Sequence, residues 1–356
     1  MLNELLKELP PSGDIAPFPK AADRRAWEDR ILPETRSQWI GLAESLLDYP
    51  WPVQRVDYYK EYWLSGDLGK DMNLRFERRS ALGILAMAEC MEGKGRFLDQ
   101  VVNGIYALCE QTSWVPPGHL RHLKGKANEP VPDSADHIVE LHTANNSDVL
   151  IWIHCVMGDW LDQVSPRIRR RIRREVRERL LLPYLERDDY WWMGFLPGVR
   201  TNNWNPWCNS SALMGFLMLE DDPELRAKGI AKILRSLDSY IASYSPDGGC
   251  DEGPGYWVQA GGGVYVAMEL LAEALGEDVI SVFGKQRIRD IGTYIYKAHI
   301  HDRYFVNFAD GDVKPGIGGD LIYRCGKWIG DERMMRLGAC FPDGKLSLYN
   351  WFSMYA

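Results

Sequence analysis

The chain has 356 residues, 46% hydrophobic and 26% charged, which is a soluble globular profile long enough for one large core or two domains. A net charge of −8 and a pI near 5.5 argue against a general nucleic-acid binder, though not against a local basic groove for an acidic ligand. No stretch is long and apolar enough for a membrane span, and Met1 to Lys20 lacks a basic start followed by an apolar run, so the default expectation is a cytoplasmic protein without a membrane partner.

Most of the chain reads as helices. Residues 1–25 are expected to form an N-terminal arm. Pro33 to Leu47 places Trp39, Leu42, Ala43 and Leu46 on one face. Glu77 to Met91 is nearly continuous apolar from Leu82. Arg96 to Glu110 spaces Phe97, Val101, Ile105 and Leu108 helically, and Asp136 to Leu161 reads as one long helix. Ser165-Pro166 is a helix start, an N-cap followed by proline at the first helical position. Beyond it Ile168, Ile172, Val176 and Leu180 form the buried stripe. The arginines between Arg167 and Arg179 then cover the other faces, most simply as a solvated surface laced by Glu175 and Glu178.

Further helices are expected at Asn209–Glu220, Pro223–Tyr244, Gln259–Leu275, Ser281–Ala298 and Asp331–Cys340. Tyr304 to Phe308 alternates like a strand, and Asp310-Gly311-Asp312 is a turn signal, so a short β-hairpin is expected near 303–313. Short links near Gly93, Ser165 and Asp221 alternate with long ones at Thr112–Ala135, Arg187–Pro206, Ser245–Tyr256 and His299–Trp328. In antiparallel helical hairpins successive links fall on opposite ends, so the long links should share one end. That layout is an all-α fold, an α/α toroid spanning 26–356 with loops building a floor or cleft.

The seven cysteines are scattered, odd in number and without a CxxC pair, which suggests reduced, mostly buried thiols and no zinc finger. The seven histidines show no clear metal spacing, so no metal or other cofactor is expected. His154 reads as a satisfied core histidine. Fourteen Trp and seventeen Tyr suit a large helical core, and also a sugar cleft, because their rings offer an apolar face with a polar edge.

Pro246 to Trp257 is the densest segment. It holds four glycines, two prolines, three carboxylates and Tyr256. Gly and Pro there fix a backbone path. Either the loop positions Tyr256 as a site, or it is a tight turn with an aromatic plug. The phenol would act as acid or base if cations such as Arg200, Arg303 or Arg324 lowered its proton affinity. Asn202, Asn203 and Asn205, crowded beside Trp204 and Trp207, are neutral donors suited to a substrate carboxylate, or else caps and turn formers. Asp247 and Glu252 are a candidate carboxylate pair for glycoside hydrolysis, or loop-ordering groups. The loop from Trp114 adds His119, Arg121, His122, Lys124 and Lys126, and the last long link adds Arg303 and Lys314.

Together, Asn202-Asn203-Trp204-Asn205, Asp247-Gly248-Gly249 running to Glu252-Gly253-Pro254-Gly255-Tyr256, Phe305 to Asp312, and more weakly Trp114 to His119, resemble the heparinase II/III-like polysaccharide lyases over about Trp114 to Trp328. The resemblance implies an N-terminal α/α toroid and a C-terminal β-sandwich, the latter expected in the full-length protein beyond Ala356. It implies β-eliminative cleavage of uronic-acid glycans such as heparan sulfate or alginate, with an acidic polysaccharide as partner. Tyr256 would match the family's catalytic tyrosine, and Asn202 or Asn203 the group that neutralises the uronate carboxylate. Arg200, Arg303 and Lys314 are then expected to contact the acidic sugar together with Asn205, His119 and Glu252. Trp204, Trp207, Trp114 and Trp257 are expected to stack on sugar faces. The alternatives are a glycoside hydrolase on a toroid using Asp247 and Glu252, and a non-catalytic glycan-binding toroid.

Overall fold

A computed structural model describes Leu2 and residues 18–29, 31–120 and 130–341. The expected contacts from Arg121, His122, Lys124 and Lys126, and most of the N-terminal arm, lie outside those residues. The described chain is mostly helical, with one two-strand antiparallel sheet. No described helix is long and apolar enough to cross a membrane. The chain divides into two compact units, residues 16–183 and residues 184–356 with 1–15.

In the unit formed by residues 16–183 the helices are α1 Arg24–Asp29, α2 Pro33–Glu44, α3 Val56–Ser65, α4 Gly69–Glu92, α5 Leu98–Cys109, α6 Pro117–Leu120, α7 Leu141–Val156, α8 Gly158–Val164 and α9 Pro166–Val176. Its core sits around α4, which packs on α2, α5 and α7, while α9 packs on α5 and α7. The helix expected over Asp136–Leu161 is two helices. Glu140 caps α7 by accepting the Thr143 N–H at 2.7 Å, and the chain breaks at Met157 before α8 begins. The start expected at Ser165-Pro166 is present, with the Ser165 hydroxyl accepting the Arg167 N–H at 3.3 Å. On α9, Ile168, Ile172 and Val176 are buried, and the arginines bridge to Glu175 and Glu178.

The second unit contains α10 Leu182–Glu186, which begins at the unit boundary, then α11 Trp204–Met218, α12 Pro223–Ser243, α13 Gly261–Leu275, α14 Glu277–Phe283, α15 Gln286–Lys297, strands β1 His299–His301 and β2 Tyr304–Phe305, α16 Gly319–Ile329 and α17 Glu332–Cys340. α11 packs on α12 and α13, α13 on α15 and α16, and α16 on α17. Asp222 and Asp331 cap α12 and α17 through paired backbone N–H groups. The hairpin turns at Asp302-Arg303, with His299 opposite Phe305 and His301 opposite Tyr304. α16 replaces part of the long link expected over His299–Trp328. Its buried Leu321, Ile322, Cys325 and Ile329 recur at helical spacing.

Candidate functional site

Three connections of the second unit meet: the segment before α11, the Tyr256 loop, and the turn after β2. Each junction has a local cause. Gly253 has φ 95, a conformation that residues with a Cβ rarely adopt, and a Cβ there would lie 2.8 Å from the Phe308 carbonyl oxygen. Glycine therefore lets the Tyr256 loop lie directly on the Phe308–Gly311 turn. That turn is closed by the Gly311 N–H donating to Phe308 O at 2.9 Å. Pro254–Tyr256 then forms a single 3₁₀ turn that lifts the phenol out of the loop. Tyr256 is 37% exposed.

The Asn-rich segment reaches the same loop through Glu252. Asn203 Nδ2 donates to one carboxylate oxygen at 2.6 Å, and Asn202 Nδ2 to the other at 3.4 Å. Asn202 is held at its other end as well, because its Oδ1 accepts the Trp204 N–H at 3.0 Å at the start of α11. Asn202 thus serves both readings of the sequence, ordering a turn and presenting an amide. Glu252 is half-buried. Burial, followed by the charges of Asp251 and Asp310, raises its proton affinity above the usual carboxylate range, and the Asn202 amide pulls the other way. Burial, then Asp310 and Glu252, also raise the Tyr256 phenol. The site is therefore a carboxylate gripped by two carboxamides beside a phenol that stays protonated near neutral pH.

The cation expected to lower the Tyr256 phenol does not act that way. Arg200 is exposed and pairs with Asp251 at 3.1 Å. Arg324 is enclosed by Glu269 at 3.1 Å and Asp320 at 2.8 Å, with the Trp328 indole N–H on the same Glu269. Arg303 is exposed at the hairpin turn, and Lys314 lies 4.4 Å from the centre of the Tyr304 ring. Burial and two carboxylates set the phenol's proton affinity, Asp310 from the turn after β2 and Glu252 from the phenol's own loop.

Several expected contacts are packing instead. Asn205 is fully buried and donates to Trp192 O at 2.8 Å and to Ser236 Oγ at 3.0 Å, while its own oxygen accepts from Asn209 at 3.0 Å. It ties α11 to α12. Trp257 is fully buried with its N–H on Ile291 O at 2.8 Å, so neither ring face is open to a sugar. Trp114, in the other unit, is 2% exposed, donates to Leu108 O at 2.9 Å and carries the Arg179 guanidinium over its ring. Trp204 and Trp207 are half-buried, and Trp204 also packs on Trp191 at 5.4 Å. Asp247 accepts its own loop's Gly249 N–H at 2.9 Å, and that bond holds its carboxyl below the usual range. It is an exposed turn-ordering acid.

His119 belongs to the unit of residues 16–183. Its Nδ1 bonds the fully buried Glu140, and its ring lies 5.5 Å from that of His142. Burial first, then Arg79 and Arg75, hold His142 neutral. Sequence reading sets His142 on one helix face with Asn145 and Asn146, projecting inward, and the structure buries all three in this polar patch. Its signal is the run His142, Asn145, Asn146 and Asp148 inside an otherwise apolar helix. No group of three or more His, Cys, Asp and Glu among the described residues is placed to hold a metal ion.

No protein-family model matches the chain, and no curated protein matches it.

Proposed function

We propose that this chain is a polysaccharide lyase of the heparinase II/III-like kind, the catalytic helical part of an enzyme that cleaves uronic-acid glycans by β-elimination. One observation carries the reading: two carboxamides converge on a carboxylate directly beside a partly exposed, protonated phenol. A uronate presents a carboxylate at C5, next to the carbon that loses its proton. Removing that proton puts negative charge onto the carboxylate, and carboxamide donors stabilise it without a proton shift. The C5–H electrons form the C4–C5 double bond as the C4–O bond breaks, and the departing oxygen takes a proton. Tyr256 suits that second transfer, since burial, then Asp310 and Glu252, keep the phenol protonated. To serve as the base as well, Tyr256 must react as the phenolate, which takes the C5 proton and, as the phenol so formed, hands that proton to the departing oxygen.

The hydrolase reading would need Asp247 as its second carboxylate, and Asp247 accepts the Gly249 N–H of its own turn. The test is a panel of alginate, heparan sulfate, hyaluronan and pectin followed by the ultraviolet absorbance of C4–C5 unsaturated uronates. New absorbance on any of them supports the lyase. New reducing ends without absorbance would overturn it in favour of hydrolysis.

A further inference from the structure

The clamp is not empty. The two amides that suit a sugar carboxylate are already spent on one that the protein supplies, at 2.6 and 3.4 Å. Resting on the uronate reading above, we propose that the Glu252 carboxylate is an internal occupant of the Asn202–Asn203 clamp, and that a ligand carboxylate takes the clamp only in exchange for it.

The surroundings fit an occupant that can be displaced better than a structural anchor. A carboxylate kept for structure is normally paired with a cation when it leaves water. Here the cation of the same loop region, Arg200, goes to Asp251. Glu252 instead faces acids: Asp251 from its own loop, Asp310 from the turn after β2, and the phenol of Tyr256. On the α12 side burial raises the Tyr240 hydroxyl, with Asp251 and Glu252 adding to it, and burial pushes the neighbouring Cys250 thiol up to about 11, so both stay neutral. Glu252 is half-buried, so part of it already meets solvent. Each amide carries two N–H groups, so an arriving carboxylate can engage the clamp before Glu252 has fully left it.

Two carboxylates sharing two carboxamides repel, so ligand binding and protonation of Glu252 are coupled. Coupling is reciprocal: whatever factor protonation adds to ligand affinity, the ligand adds to the proton affinity of Glu252. The sign follows from Glu252 titrating above the ordinary carboxylate range. As pH falls from neutral, Glu252 becomes neutral while an ordinary ligand carboxylate remains charged, and affinity rises. At still lower pH the ligand is itself protonated and affinity falls again.

The experiment follows the side-chain amide NMR signals of Asn202 and Asn203, assigned by single Asn→Ala variants, in the whole chain. Sodium acetate and sodium glucuronate are titrated at pH 7 and pH 5 into the wild type and E252Q. The exchange predicts tighter binding at pH 5 than at pH 7 in the wild type, with E252Q tight at both. E252D, which keeps the charge on a shorter arm, restores the pH dependence. Equal affinity at both pH values in the wild type overturns the exchange whether or not E252Q folds. So does a failure of both probes to shift either amide. Acetate acting with that pH dependence while glucuronate does not leaves the exchange standing and removes the uronate reading instead.

Discussion

Asn203 donates to Glu252 at 2.6 Å, and this bond joins the turn before α11 to the loop that presents Tyr256. The carboxamide and the phenol are 53 residues apart in sequence, yet the same carboxylate touches one and raises the other. Replacing Asn203 by Asp puts a second carboxylate against the first. The two then share a proton, as close acids do. N203D is expected to lower the rate of unsaturated-uronate formation by about 10²–10³-fold, the range for losing one preorganised donor. N203A removes the donor without adding charge and should fall less steeply with rising pH than N203D. Initial rates of absorbance increase between pH 5 and 8 separate the two.

Tyr256→Phe deletes only the hydroxyl, and the ring's packing remains. Turnover should drop by about 10²–10⁴-fold, the usual contribution of a positioned proton donor, while uronate binding stays near the wild-type value. Calorimetric binding beside the rate assay makes the distinction. A variant that keeps its full rate would remove Tyr256 from the chemistry.

Asn205 makes the opposite case. It stands in the same Asn-rich motif, yet its amide is consumed by Trp192, Ser236 and Asn209 inside the core. N205A leaves buried partners without bonds, at a cost of about 1–3 kcal/mol. A denaturant melt should show that loss, and activity per folded molecule should not change.

The contrast between these asparagines marks what the sequence could reveal. Apolar spacing exposed most helices, and Ser165-Pro166 and Pro223 two of their starts, because helix initiation is a local property of adjacent residues. The break at Met157 was hidden, since apolar residues continue across it and only the backbone changes direction. α16 was passed over because the glycines around Gly316–Gly319 read as loop. For the site, the loop glycines and the Asn cluster were visible as a pattern. Which asparagine faces Glu252 and which faces Ser236 depends on a rotation of one residue at the start of α11, and composition carries no such information. The same holds for Trp257 and Trp114, whose burial is set by helices distant in sequence.

Gly253 tests whether the meeting of loops matters. Its φ of 95 and the 2.8 Å approach of Phe308 O leave no space for a methyl group. G253A is expected to cost about 1–3 kcal/mol through strain alone. Because the strain falls where the Tyr256 loop rests on the turn carrying Asp310, the phenol should lose its acidic neighbour. The Tyr256 hydroxyl would then titrate closer to an ordinary phenol, readable by ultraviolet difference titration of G253A against a G253A/Y256F control.

The buried histidines give the pH dependence of stability. His154 is held to about 3, by burial first and then by Arg169, and its Nδ1 has no hydrogen-bond partner among the described residues. His142 and His137 are lowered for the same leading reason. A histidine that stays neutral when folded but titrates near 6.5 when unfolded gives the unfolded state more protons between those two values. The contribution of His154 is therefore complete above about pH 6.5 and is lost as pH falls toward 3, at about 1.4 kcal/mol per pH unit. H154Q cannot be charged, so its melting midpoint should decline less than the wild type's between pH 6.5 and 4. Urea melts at several pH values decide it, and parallel decline in the two proteins would mean that His154 is protonated in the folded state.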